Sequence, residues 1–209
     1  MDAVNHHILM YLRWIHFMAG ITWIGHLYFF NVVNGHFSAA LDAETRSKVV
    51  PELMPRALWW FRWGAMLTLI SGLLIIFWQL WVASDAHFFN EGGLWKTKWG
   101  GWITLGGAYG TIMWFNVWFI IWPAQKKIIA WTIAGENPPE RAGLASRATM
   151  ASRINTYLSV PLLFAMGGAN HFRSFGWVSA ILATLVGLLI VWIFIKSSKG
   201  VGKVFWTST

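Results

Sequence analysis

The sequence predicts an all-α polytopic membrane bundle of about five transmembrane helices in a single domain, residues 1–209. Three observations predict it. Charged residues make up 11% of the 209, under half of the roughly 25% usual in a soluble domain. Hydrophobic residues make up 56%, with a mean hydropathy of +0.51. Several apolar segments are close to the roughly 20 residues that a helix needs to cross a hydrocarbon core of about 30 Å. The 17 Trp point the same way, because Trp concentrates at membrane interfaces.

The first segment, about 9–33, holds RWIHFMAGITWIGHLYFFN at 13–31. The residues before it carry no basic run and no small-residue cleavage site, so the first helix is expected to be retained. The second and third segments span about 57–83 and 101–122. The fourth, about 154–170, is the shortest and most polar, and Pro161 within it predicts a kink that neighbouring helices can tolerate. The fifth spans about 176–196. The longest connection, 123–153, opens with KKIIAWTIAG, which predicts a short interfacial helix ended by Gly135 and Pro138-Pro139.

The loops orient the bundle. Four of the 16 Lys and Arg fall on one side (Arg13, Lys96, Lys98 and Arg173), and the other 12 fall on the opposite side. The positive-inside rule then places the N-terminus outside and the C-terminus in the cytoplasm. The net charge of +8 reads as this topology signal facing an anionic leaflet, and no nucleic-acid partner is expected. With no Cys in the chain, disulfides, Fe–S clusters and covalent c-type haem attachment are excluded. The eight acidic residues all fall in predicted loops, which argues against a di-metal carboxylate site.

Histidines inside a bilayer are costly and mark candidate function. His16 lies about 9 Å into the first helix, at 1.5 Å per residue, with Gly20 and Trp23 on its face at i+4 and i+7. His171 ends the fourth helix on the same outer side, with Gly167 one turn deeper. A porphyrin needs an axial imidazole and a neighbouring helix face without bulky side chains. Two such histidines near one depth are a candidate clamp for haem b, whose iron takes His as an axial ligand. The same glycines equally suit close helix packing, as expected for Gly106 and Gly110. His26 lies about 80° off the His16 face and is the alternative second ligand, a proton relay or a packing residue. His6, His7, His36 and His87 fall in loops or at helix ends, where solvation is the simpler reading. Trp14, Trp63, Tyr157 and Asn116 are further candidate neighbours. A central amide such as Asn116 needs a partner.

These motifs resemble the N-terminal membrane domain of the bacterial membrane-bound urate oxidase family, whose archetypal members carry a C-terminal cytochrome c. The resemblance rests on RWIH at 13–16, WIG at 23–25, WFRW at 60–63, SG at 71–72, GTIM at 110–113, PAQ at 123–125, NTYLSVP at 155–161 and NH at 170–171. The first helix is more distantly similar to that of the small haem-binding membrane protoporphyrinogen oxidases, whose helix-1 histidine falls on His16. The resemblance implies a lipid-embedded redox protein with haem b held by His16 and either His171 or His26. It implies a separate electron acceptor, a cytochrome c or a quinone. Two alternatives stand beside electron transfer. One is a urate-type oxidoreductase, with Gln125, Lys126, Arg147 and Arg153 as polar candidates. The other is a non-catalytic subunit of a larger membrane complex.

Overall fold

The structure, a computed structural model, describes residues 3–82, 94, 97–172 and 174–201. Among the described residues all regular structure is helical. Helix α1 (Ala3–Tyr28) passes through a wider π-type turn, Phe29–Asn34, into α2 (Gly35–Ala40), giving one run of 38 residues. Helix α3 (Ala43–Phe77) continues through Trp78–Val82 as a run of 40. Helix α4 (Lys98–Phe115) joins α5 (Trp122–Ala134) through Asn116–Ile121, and α6 (Glu140–His171) and α7 (Trp177–Ser198) follow. Four of these runs, all but α6, are long and apolar enough to cross a membrane.

Helix α6 falls short in hydropathy because its neighbours shield it. It packs against α4, α5, α7 and α1, while α1 pairs chiefly with α3. Its polar residues Asn155, Thr156 and Ser159 are turned inward and fully buried. Small residues let the other helices close on it: a Cβ at Gly168 would stand 3.2 Å from the Trp102 ring, and one at Gly187 of α7 would stand 2.7 Å from Pro161. Pro161 therefore lies inside a continuous helix, at a point where a glycine of the next helix makes room for its ring.

Hydrogen bonds bolt two neighbouring helical runs to α6. Asn31 donates to Ser152 Oγ at 2.7 Å, and the hydroxyls of Tyr28 and Ser159 meet at 3.0 Å. Asn116 Nδ2 donates to Asn155 Oδ1 at 2.8 Å, and Asn155 Nδ2 donates to the Met113 carbonyl at 2.9 Å. The central amide thus has its partner. Asn155→Ala is expected to cost about 1–3 kcal/mol, because it leaves the Asn116 amide buried and without its side-chain partner. The double variant with Asn116→Ala should cost less than the sum of the two single ones, as read from unfolding in mild detergent.

Several sequence expectations are corrected. The residues read as a 34–56 loop are almost wholly helical, so α3 starts at Ala43 rather than near 57, and Glu44, Glu52 and Glu140 lie in helices rather than loops. Local chemistry carries that extension into water. The Asp42 carboxylate caps α3, accepting from Thr45 N at 2.9 Å and Thr45 Oγ1 at 2.7 Å. Glu44–Lys48 and Glu52–Arg56 then pair at i,i+4. Likewise α6 begins at Glu140, not 154, and α4 runs on into α5. The short helix expected after PAQ ends as foreseen at Gly135, which adopts φ 69°.

The backbone N–H of Thr45, and after it the Thr45 hydroxyl, hold the Asp42 carboxyl below the usual carboxylate range. A depressed folded pKa contributes stability above the unfolded pKa, and that stability is lost as pH falls through the folded one. Hydrogen exchange at residues 43–47 is therefore expected to speed up on acidification below the ordinary carboxylate range. Asp42→Ala should make it fast at every pH.

Candidate functional site

A cavity of about 380 Å³ opens where the middle of α1, the far end of α3, the first part of α4 and the end of α6 meet. Arg13, Gln79, Asn170 and His171 stand at this end of the bundle, and Trp23, Thr111 and Leu162 lie deepest. From Arg13 to Trp23 is ten residues of helix, about 15 Å. Among the described residues, Arg13 is the one lining cation whose charge does not depend on pH, no carboxylate lines the cavity, and the walls are mostly apolar. The size falls within the roughly 300–1,000 Å³ of small-molecule sites.

His16 enters this cavity from α1 in a defined orientation. Its Nδ1 lies 3.1 Å from Ser71 Oγ. The single hydroxyl proton of Ser71 goes to the Leu67 carbonyl, 2.6 Å away, so Ser71 Oγ accepts and Nδ1 carries the hydrogen. Nε2 is then left with its lone pair, the form in which imidazole binds a metal. Gly72 seats the ring, since a Cβ there would stand 3.0 Å from His16 Cε1. The SG pair at 71–72 therefore does two jobs: the serine sets the tautomer and the glycine makes space.

Glycines shape the rest of the slot. Gly106 packs against Met166, whose Cε would lie 2.6 Å from an added Cβ, and Gly110 meets Leu162 at 3.8 Å. Both serve the helix packing expected of them, and both also line the cavity. Gly107 and Gly167 differ. Each lines the cavity, and a Cβ at either would meet nothing within 4 Å. Side chains there would occupy the space of a ligand. Among the described residues no group of three or more His, Asp or Glu could hold a bare metal ion. One oriented imidazole beside a glycine-lined slot suits instead a planar group that brings most of its metal's ligands with it.

The model of the urate oxidase N-terminal family matches residues 94–209, more than half of the chain. The chain belongs to the urate oxidase N-terminal family. No curated protein and no solved structure matches it. The family is oxidoreductase-related. The urate oxidase N-terminal match takes in α4 to α7, and so the glycine and His171 walls of the cavity, while His16 and Ser71 lie before it.

The structure places the remaining candidates as follows. His16, Trp23, Gly167 and His171 all line the one cavity. Gly20 does not, and its place beside His16 is taken by Gly72 on α3. His26 lies elsewhere, donating from Nδ1 to the Thr22 carbonyl of its own helix at 2.7 Å. Asn116 and Tyr157 are also outside the cavity. Trp14 is 60% exposed, and Trp63 belongs to an aromatic group around Arg62, whose guanidinium lies 4.0 Å from the Trp122 ring centroid. His7 and His36 bond to Ala3 O and Ser198 Oγ, His6 is exposed, and His87 lies outside the described residues. None of the four urate-type candidates lines this cavity, and Arg147 lines a smaller one. Sequence reasoning missed Gly107, Met166 and Gln79 as wall residues, and Ser71 as the partner of His16. The SG dipeptide was visible, but nothing local shows that it faces a histidine 55 residues earlier.

Proposed function

We propose that this chain is an integral membrane b-type haem protein that carries electrons, with His16 as an axial ligand. The observation that carries the reading is the His16 imidazole, held by Ser71 with Nε2 free beside a glycine-lined slot. Bound haem would supply one-electron transfer. The chain's residues do the rest. Ser71 fixes the tautomer, Gly107 and Gly167 leave the width, and the apolar walls exclude water. On α6, His171 and Met166 are the side chains of the cavity able to offer a second ligand. The charge bias supports a cavity mouth on the outer side of a bacterial inner membrane, where a separate cytochrome c or a membrane quinone would exchange electrons.

The test is a reduced-minus-oxidised spectrum and a pyridine haemochrome assay on protein purified from haem-replete cells. About one haem b per chain is expected, and a wild-type protein without haem overturns the reading. Family membership favours a second reading, an oxidoreductase acting on urate or a related anionic heterocycle with electrons passed to a separate cytochrome. Arg13 would be the cation available to such an anion in this cavity. Membranes carrying the protein should then consume urate in the presence of an acceptor, and absence of turnover removes that reading.

A further inference from the structure

At the opposite end of the bundle, a smaller hollow of about 170 Å³ is lined by Phe119, Ile120, Pro123, Lys127, Leu144 and Arg147, with Ala124 at its base. Two cations from different helices, Lys127 of α5 and Arg147 of α6, converge on it. Among the described residues neither has a hydrogen bond or an ion pair. Nearby cations do: Lys48 and Arg56 pair with glutamates, and Arg46 and Arg141 donate to carbonyls.

The hollow sits where the apolar run of α4 gives way to PAQKK, with Trp122 beside it, the composition of a membrane–water boundary. Below it, towards the apolar depth, Ile112, Phe115 and Phe119 form an exposed strip at steps of three and four residues. The Phe115 and Phe119 rings stack at 4.9 Å. Phe119 and Ile120 also line the hollow, so the strip and the two cations form one continuous surface.

We infer that this surface is a binding site for an anionic phospholipid. The phosphate sits between Lys127 and Arg147, and an acyl chain lies along Phe119, Phe115 and Ile112. The volume is below the roughly 300 Å³ at which whole small-molecule sites begin. It suits a headgroup whose chains lie outside it. A soluble anion would use the cations but not the strip, whereas a lipid uses both.

The experiment purifies the full chain from bilayers of mixed phosphatidylcholine and phosphatidylglycerol and counts retained lipid per chain by mass spectrometry. Phosphatidylglycerol is expected to be enriched over phosphatidylcholine. Lys127→Ala and Arg147→Ala should each lower that enrichment about fivefold, the equivalent of about 1 kcal/mol per basic residue at a lipid surface. Arg147→Lys should keep most of it, and Lys48→Ala, a glutamate-paired cation, should leave it unchanged. Circular dichroism of each variant establishes that the helices remain. Equal retention of the two lipids, or enrichment untouched by both alanine variants, overturns the site. Displacement of the lipid by millimolar inorganic phosphate or urate identifies a soluble-anion pocket instead and also overturns it. None of these outcomes depends on haem.

Discussion

His16→Ala is expected to reduce bound haem to background while the protein still folds and inserts. Little else in the cavity can hold iron from α1. The other helix-1 imidazole, His26, is turned to its own backbone at Thr22 and does not line the slot. His171 and Met166 come from α6 and can take one side only. The neighbouring Ser71→Ala separates a ligand from its support. It removes the hydroxyl that Nδ1 meets at 3.1 Å, which loosens the hold on the imidazole, and haem affinity is expected to fall about 10- to 100-fold. The haem that remains should have a shifted midpoint potential, which a merely destabilised fold would not produce. An unchanged haem spectrum in His16→Ala would refute the assignment.

Gly107→Leu and Gly167→Leu are expected to abolish haem binding from the opposite direction, by filling the slot. A Cβ at either position meets nothing within 4 Å, so the added side chain has space and no clash to resolve. Leu is also a better helix former than Gly, by close to 1 kcal/mol. Thermal stability should hold or rise while haem is lost. Gly187→Leu is the contrasting control. Its Cβ would stand 2.7 Å from Pro161, a rigid ring in a packed core, so it should destabilise the bundle by about 1–3 kcal/mol or more. Retained haem in both cavity-filling variants would show that the cavity is not the haem site.

How far the site was legible in the sequence varies by residue. His16 stood out because an imidazole in an apolar helix is rare and costly, and that cost is a property of composition alone. Gly167 and His171 were legible through a one-turn spacing on a single helix. Gly20 fits the same spacing yet lies outside the cavity, because spacing says which residues share a face but not which neighbour that face meets. Gly72, on the partner helix, has the role that Gly20 was expected to play. Asn116 needed a partner by the same cost argument, and the structure shows that partner to be Asn155, 39 residues away, in a packing bolt rather than a site.

What the sequence by itself determined is the class of the fold: an all-α bundle with apolar spans, a polar helix near its end, and no thiolate chemistry. These follow from residue types and from the local cost of burying charge and backbone in an apolar medium. Capping and charge pairing beyond the membrane, which hydropathy does not report, let α3 begin well before its apolar segment, and α6 likewise begins early, at Glu140. Only the tertiary structure decided which helices face one another. That choice put Ser71 and Gly72 against His16, opened the slot at Gly107 and Gly167, and left His26 outside it. The physical reason is that helix packing depends on pairs of surfaces, and each segment of sequence specifies only one of the two.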